Sequence, residues 1–176
     1  AKWQVCGKDG VFWAGTFKGR GYEEGAYPEN GSWQYSPDNV MVTNGLLKIT
    51  TQYEPGYPFI DPAAYNWKFT TGGMWSKQTV TYGYMEIRCK LAYEEQTGAF
   101  WTTGTAELDV FEAIGKHATR QNKMWSTIHD WSYPNPNRVW TATSDLPFAF
   151  SDGFHIYAAE WDANSVKFYA DGQLIH

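Results

Sequence analysis

The sequence predicts an all-β protein, built as a sandwich or barrel of antiparallel strands. Three observations lead to this prediction: two strand–turn–strand patterns whose two-residue turns end in glycine, a series of short runs in which polar and apolar residues alternate, and connections rich in Gly, Pro and Asn. Good helix candidates are scarce, and no internal repeat or linker divides the sequence. Short strands separated by turn residues are typical of β-sandwiches and barrels. With 176 residues, we expect one domain that spans residues 1–176.

The two clearest hairpins surround Asn44-Gly45 and Asp171-Gly172. Residues 39–43 and 46–51 flank the first turn, and residues 165–170 and 173–175 flank the second. Both dipeptides tolerate a positive φ, which a two-residue turn between antiparallel strands requires. Most other candidate strands alternate with period two, as half-buried antiparallel strands do. These further strands are residues 69–77, 81–91, 99–103, 107–113, 123–129 and 155–162.

The composition argues against several classes of protein. Hydrophobic residues make up 43% of the chain and charged residues 19%, which is too apolar for a disordered protein. The sequence has no run of about 18 apolar residues, so no transmembrane helix is predicted. A net charge of −5 without a basic stripe argues against nucleic-acid binding. The 10 Trp, 12 Tyr and 10 Phe residues exceed what a core of this size readily buries, so we expect several rings to line a sugar-binding groove.

Three carboxylates lie within six residues of an otherwise apolar segment, Glu107-Leu108-Asp109-Val110-Phe111-Glu112. On a regular strand Glu107 and Asp109 share one face, but an offset of five turns Glu112 to the other face. We expect a β-bulge of one extra residue near Val110-Phe111 to return Glu112 to the face of the other two acids. Glycosidases use such paired carboxylates across a sugar-sized gap. The alternative is an exposed strand with three solvated acids, whose like charges would repel one another.

Four other residues are candidates for substrate binding. Trp101 is either a stacking surface beside the acids or a core residue. Trp67 and Trp131 lie in loop-like sequences, where a position in the groove is favoured. His129 ends the strand expected beside the acids and is either a substrate ligand or a structural histidine, whereas His117 is expected at the surface. No His/Cys cluster has zinc-ligand spacing, and no Gly-rich phosphate loop follows a strand.

The two cysteines lie 83 positions apart and do not form a disulfide framework. Whether Cys6 and Cys89 pair is left open by the sequence. Cys89 lies in the alternating residues 84–91, where a small buried thiol is the favoured role.

The segment 107–112 carries the E-x-D-x-x-E signature of glycoside hydrolase family 16 in its β-bulge form, and the chain resembles that family from about residue 38 to residue 175. The resemblance implies a concanavalin A-like β-jelly roll of two curved antiparallel sheets with an open groove. It also implies retaining, endo-acting hydrolysis of a β-linked polysaccharide. Glu107 would be the nucleophile, Asp109 its electrostatic partner and Glu112 the general acid/base. The flanking segments that agree with the family are residues 69–77, 82–88, 99–101 and 154–172.

The sequence departs from the family pattern at both ends. The family's opening and closing strands have no evident counterpart, so we expect an incomplete or shortened domain. The resemblance implies no cofactor for the chemistry and allows a structural calcium ion, whose ligands would come from these terminal regions. We expect a secreted or cell-surface monomer that binds a polysaccharide or oligosaccharide, with no nucleic-acid or membrane partner. The sequence begins at Ala1 and shows no signal peptide, so we expect any export signal to be removed or to lie outside it.

Two other functions stay open: a carbohydrate-binding module of the same fold, and a transglycosylase that passes the covalent intermediate to a sugar. The three acids favour an enzyme over a binding module, which fold alone would not do. Residues 17–20 and 38–42 are similar to the entry region of agarase- and porphyranase-like members, so a β-galactan of the agarose or porphyran type is the expected substrate. A laminarinase-like β-1,3-glucanase is the alternative. Arg20, Arg120 and Arg138 are candidates for binding a sulfated galactan through bidentate contacts.

Overall fold

The computed structural model describes residues 2–6, 32–58, 67–104, 106–131 and 137–176. These residues form fifteen β-strands and one 3-10 turn, Pro37–Asn39, and they contain no α-helix. No helix among them is long and apolar enough to cross a membrane. The all-β prediction is therefore confirmed. The strands are β1 (Trp3–Val5), β2 (Ser32–Tyr35), β3 (Val40–Thr43), β4 (Leu46–Ile49), β5 (Thr51–Tyr53), β6 (Trp67–Thr71), β7 (Met74–Ser76), β8 (Gly83–Cys89), β9 (Thr97–Thr102), β10 (Ala106–Ile114), β11 (Lys123–Asp130), β12 (Asn137–Asp145), β13 (His155–Trp161), β14 (Val166–Ala170) and β15 (Gln173–Leu174).

The chain divides into two compact units, residues 1–79 and residues 80–176. In the described part of the first unit, β1 pairs with β7, β3 pairs with β4, and β6 lies between β2 and β5. The β2–β6 pair is parallel and the other pairs of this unit are antiparallel. The expectation that residues 1–176 form one catalytic domain stays a prediction.

The first unit confirms the hairpin at Asn44-Gly45 and corrects the strand predicted at residues 69–77. Asn44 and Gly45 have φ values of 51° and 75° between β3 and β4, as the turn requires. The predicted single strand is two strands, β6 and β7, separated by Gly72 and Gly73. A Cβ at Gly72 would lie 2.5 Å from the Asn39 carbonyl oxygen, and one at Gly73 would lie 2.6 Å from the Tyr35 ring. The strand is interrupted where the bare glycine backbone makes these close approaches.

The second unit contains two four-stranded antiparallel sheets, in the orders β12–β11–β10–β9 and β15–β14–β13–β8. Buried side chains from both sheets form one core, to which β10 contributes one of its faces. The Phe111 ring lies 4.9 Å from the Tyr157 ring and 5.1 Å from the Phe150 ring, between centroids. This aromatic cluster supports β10 from one side and leaves its other face for the acids.

The second unit also confirms the late hairpin and most of the predicted strands. Asp171 and Gly172 have φ values of 47° and 77° between β14 and β15. The strand β12 was not predicted, because it is an edge strand whose residues are mostly polar or small and show no apolar alternation. The short strands β1, β2 and β5 were also not predicted.

Both cysteines are free thiols. Burial raises the pKa of the Cys6 thiol to about 12 and that of the Cys89 thiol to about 11. Because the thiolate is the reactive form, neither cysteine is suited to act as a nucleophile near neutral pH. Cys89 is half-buried and packs against the core of the second unit, in partial agreement with its expected role as a buried thiol.

Candidate active site

The strand that carries the three acids lies inside a sheet, between β9 and β11. Both of its edges are therefore paired with a neighbouring strand. One of its faces is apolar and buried, and the other carries the acids. Leu108, Val110, Phe111 and Ala113 are buried in the core. The adjacent Val110 and Phe111 both belong to the core, which a regular strand with alternating side chains does not permit.

A β-bulge at Val110 explains this break in the alternation. On the β11 side, Asp109 lies opposite Thr127 and Glu112 lies opposite Trp125, so that three steps along β10 match two along β11. On the β9 side, Asp109 and Phe111 lie opposite neighbouring residues, and Val110 again has no register partner. The predicted extra residue near Val110-Phe111 is therefore confirmed.

The bulge places all three acids on one face of the sheet. Across β11, Glu107 lies opposite His129, Asp109 opposite Thr127 and Glu112 opposite Trp125. Because His129, Thr127 and Trp125 alternate along a regular strand, they share one face, and so do the acids opposite them. The arrangement that would contradict the sequence-based reasoning, with Glu112 on the core side, does not occur.

The three acids differ in their exposure to solvent. Asp109 is 4% exposed, Glu107 is half-buried and Glu112 is exposed. The three carboxylates are thus in three different environments. In such sites, differences in environment separate the pKa values of chemically similar groups and so give them different roles.

His129 lies between two of the acids. Its Nε2 atom is 3.7 Å from Glu107 Oε1 and 3.6 Å from Asp109 Oδ2, and all three side chains are largely buried. These distances are within the range of an ion pair and longer than a hydrogen bond. The imidazole therefore offsets the charge of two adjacent carboxylates whenever it carries a proton. The structure places His129 close to the acids. Its role, either a substrate ligand or a structural histidine, stays a prediction.

Trp131 contacts both His129 and Glu107. Its Nε1–H donates a hydrogen bond to Glu107 Oε2 over 3.1 Å. Its ring stacks on the His129 ring, with centroids 4.9 Å apart and planes 11° from parallel. Trp131 follows the last residue of β11, in agreement with its loop-like sequence. Its predicted position in a sugar-binding groove stays a prediction, and its direct bond to a carboxylate was not predicted.

The other predicted site residues have different outcomes. Trp101 lies opposite Asp109 on β9, half-buried and on the same face as the acids. The predicted loop position of Trp67 is wrong, because this residue begins β6; its side chain lies outside the described part of the structure. His117 is half-buried in the segment after β10, where its Nδ1 accepts a hydrogen bond from the Thr119 backbone N–H over 3.1 Å.

One residue of this face, Trp125, was not selected from the sequence as a site residue. Trp125 lies opposite Glu112, and its Nε1–H donates to Thr141 Oγ1 over 3.2 Å. The guanidinium of Arg120 lies 5.2 Å from the centre of the Trp125 ring. The alternation of β11 could have identified Trp125, because it is two and four positions from Thr127 and His129. Of the other two candidate arginines, Arg20 and the side chain of Arg138 lie outside the described residues.

Among the described residues, one group of three side chains has a geometry that could hold a metal ion: Glu107, Asp109 and His129, whose ligand atoms lie within 4.8 Å of one another. A calcium ion takes six to eight oxygen ligands, so an imidazole with two carboxylates does not fit it. The structural calcium ion that the resemblance allows would take its ligands from the terminal regions, of which residues 7–31 lie outside the described part of the chain. The described residues therefore do not test it.

A model of the β-porphyranase A–D catalytic domain of glycoside hydrolase family 16 matches residues 17–176. The chain belongs to glycoside hydrolase family 16. This confirms the resemblance found in the sequence, including the β-bulge signature at residues 107–112. The match covers both units of the family 16 chain, from residue 17 onward.

Named relatives of this family 16 chain degrade different polysaccharides. It is 27% identical over 177 residues to the kappa-carrageenase of Pseudoalteromonas carrageenovora, covering 82% of the chain and 44% of that enzyme. It is 31% identical over 179 residues to a beta-glucanase of Bacillus subtilis, covering 97% of the chain and 64% of that enzyme. The chain thus spans less than two thirds of the length of both relatives.

The fold of the chain is similar to that of porphyranase B from Zobellia galactanivorans. The two structures match with a TM-score of 0.75 at 21% identity, over 99% of this chain and 67% of the porphyranase. At this identity the likeness concerns the fold alone. It confirms the predicted β-jelly roll class.

Proposed function

We propose that this chain is a retaining endo-glycosidase that cleaves internal bonds of a β-linked polysaccharide. The observation that carries the proposal is the bulge at Val110, which brings Glu107, Asp109 and Glu112 to one face of the sheet. A carbohydrate-binding module has no need of three carboxylates on one face of a sheet. A retaining glycosidase requires a nucleophile and a general acid/base in that arrangement. Membership of the family supports the same class of reaction.

The contacts of Glu107 suit a nucleophile. The Trp131 indole N–H is directed at one carboxylate oxygen, and His129 lies near the other. Hydrogen-bond donors directed at a carboxylate stabilise its ionised form, which is the form that attacks. The same contacts fix the direction in which the carboxylate points, and orientation of a reacting group lowers the activation barrier.

The position of Glu112 suits a general acid/base. It is exposed and lies opposite Trp125, two register positions from Asp109 on the β11 side. In the first step, Glu112 would donate its proton to the glycosidic oxygen while Glu107 attacks the anomeric carbon and the leaving sugar departs. In the second step, Glu112 would take a proton from a water molecule that attacks the same carbon and releases Glu107. Access to solvent allows Glu112 to exchange protons between these two steps.

Asp109 would act on Glu107 rather than on the sugar. It is almost fully buried next to the nucleophile on the acid face, with His129 within 4 Å of both carboxylates. A buried carboxylate beside a second one can share a proton or a hydrogen bond with it. We therefore propose that Asp109 and His129 together adjust the charge around Glu107 as the covalent bond forms and breaks.

Aromatic rings accompany each of the acids and would form the sugar-binding surface. Trp131 lies against Glu107, Trp101 lies opposite Asp109, and Trp125 lies opposite Glu112. Sugar rings stack their C–H faces on such rings while their hydroxyls bind nearby polar groups. An extended row of rings on one sheet face suits a polymer better than a single sugar.

The substrate we propose is a β-galactan of the agarose or porphyran type that carries anionic groups. The support is Arg120, whose guanidinium lies over the Trp125 ring at 5.2 Å from its centre, and Trp125 lies opposite Glu112. An arginine held in this way can bind a sulfate ester with two parallel hydrogen bonds. A β-1,3-glucan is the alternative; the beta-glucanase relative supports a β-glucan substrate without naming its linkage.

The decisive experiment measures reducing ends released from agarose, porphyran, carrageenan, laminarin and mixed-linkage glucan. Hydrolysis increases the number of reducing ends, transfer to a sugar leaves it constant, and a binding module changes no chain length. Proton NMR of the first product should show the β-anomer if the configuration is retained. Glu107→Gln should abolish turnover. Glu160 is an exposed carboxylate on the other sheet, so Glu160→Gln should leave turnover unchanged. Full activity of Glu107→Gln would refute the proposal.

A further inference from the structure

Ser126 is a polar residue at a core-facing position of β11. It is fully buried, and the residues two positions away on either side, Met124 and Ile128, belong to or pack against the core. Its hydroxyl donates a hydrogen bond to the Val110 carbonyl oxygen over 2.8 Å. A buried hydroxyl is unfavourable unless it is bonded, so the Val110 carbonyl is what makes a serine acceptable here.

The carbonyl that Ser126 binds belongs to the bulge itself. Val110 has no register partner on β9 or on β11. Ser126 is the one residue of β11 between Thr127 and Trp125, and it faces the two residues of β10 between Asp109 and Glu112. A bulge disrupts the local ladder of backbone hydrogen bonds, and a side chain can bind the groups that the ladder leaves.

We infer that Ser126 is a positioning residue for Glu112. The bulge decides whether Glu112 points to the acid face or to the core, and the Ser126 hydroxyl holds the bulge at its extra residue. Ser126 lies on the opposite side of the sheet from the acids and does not contact the substrate face. The inference rests on the proposed role of Glu112 as the general acid/base, since the position of that carboxylate matters most for proton transfer.

The test uses Ser126→Ala, which removes the hydrogen bond, and Ser126→Cys, which keeps a polar atom but donates weakly. The matched control is Ser151→Ala, because Ser151 Oγ donates to the Gly115 carbonyl over 3.0 Å just beyond the end of β10. Each variant is assayed on the polysaccharide that the wild type degrades fastest and on the 2,4-dinitrophenyl glycoside of its disaccharide repeat. The second substrate has a leaving group that departs without a proton from Glu112.

We expect Ser126→Ala to lower kcat/KM on the polysaccharide by about 10- to 100-fold, because a misplacement of about 1 Å can cost that much. On the dinitrophenyl glycoside kcat/KM should change little, and Ser126→Cys should fall between Ser126→Ala and the wild type. Ser151→Ala should match the wild type on both substrates. Equal losses on both substrates, or a polysaccharide rate like that of Ser151→Ala, would overturn the inference.

A crystal structure of Ser126→Ala separates this inference from the proposed function. We expect the Glu112 carboxylate to be displaced while the fold and the position of Glu107 are preserved. An unchanged Glu112 position would overturn the inference even if the wild type is a glycosidase. If the wild type degrades none of the polysaccharides, the proposed function fails, and the displacement of Glu112 alone decides the role of Ser126.

Discussion

The hydrogen bond from Trp131 to Glu107 offers a direct test of how the nucleophile is held. Trp131→Phe removes the Nε1–H that donates to Glu107 Oε2 over 3.1 Å. It keeps an aromatic ring that can still stack on His129, whose ring centroid lies 4.9 Å away. The substitution therefore removes the hydrogen bond and keeps a smaller aromatic face toward His129.

The structure sets the expected magnitude. A hydrogen bond to a charged group contributes about 1.5–3 kcal/mol, and the lower values apply where water can replace the donor. Trp131 is 44% exposed, and the Glu107 side chain is 18% exposed. We therefore expect a loss of about 1.5 kcal/mol in transition-state stabilisation, which corresponds to roughly a 13-fold decrease in kcat/KM.

The assay is the initial rate of reducing-end release at several substrate concentrations. Trp131→Ala, which removes the ring as well as the donor, should lose more activity than Trp131→Phe. Trp140→Phe is the matched control, because Trp140 lies in the same sheet and stacks on Phe168, with ring centroids 5.5 Å apart. Melting temperatures of all three variants show whether any loss comes from unfolding.

Wild-type kcat/KM in Trp131→Phe would refute the reasoning, because the hydrogen bond would then contribute nothing to the reaction. Equal losses in Trp131→Phe and Trp131→Ala would show instead that the donor carries the whole effect and that stacking on His129 carries none.

Three further predictions concern the general acid/base, the binding of a sulfated substrate and the pH dependence of the melting temperature. Glu112→Ala should lose most activity on the polysaccharide and recover part of it with azide, since azide can replace the water that needs a general base. Arg120→Ala should raise KM for a sulfated galactan several-fold and leave KM for its desulfated form unchanged. The Ile156 amide and then His155 lower the pKa of Asp171, so the ionised carboxylate stabilises the fold above the unfolded pKa of about 3.9. Asp171→Asn should therefore lower the melting temperature at pH 7, with a difference that disappears as the pH falls through the lowered pKa of the folded state.

Each of these predictions has its own control and contradicting result. For Glu112→Ala, the control is a dinitrophenyl glycoside, and failure of both azide and this substrate to restore turnover would contradict the acid/base role. For Arg120→Ala, the control is Arg88→Ala, because Arg88 lies over the Phe154 ring at 4.7 Å on the other sheet. A melting-temperature difference for Asp171→Asn that is equal at pH 7 and pH 2 would contradict the charge-based explanation.

Features that depend on neighbouring residues could be predicted from the sequence. Asn44-Gly45 and Asp171-Gly172 adopt the positive φ values that their turns require, and steric freedom at two adjacent residues decides such turns. The bulge at Val110 also follows from local pattern, because three acids and their apolar neighbours can be sorted onto two faces only with one extra residue. The all-β class, both hairpins and the common face of the acids were therefore open to sequence reasoning.

Features that depend on which strands lie side by side required the tertiary structure. Four such contacts join β10, or the segment after it, to β11 or to the residue after it. They are the contacts of Glu107 with Trp131 and with His129, of Arg120 with Trp125, and of Val110 with Ser126. Antiparallel pairing sets these contacts, and a shift of one residue in register would move every side chain to the opposite face. The alternation within one strand specifies which residues share a face, but only the pairing between strands decides which of them meet.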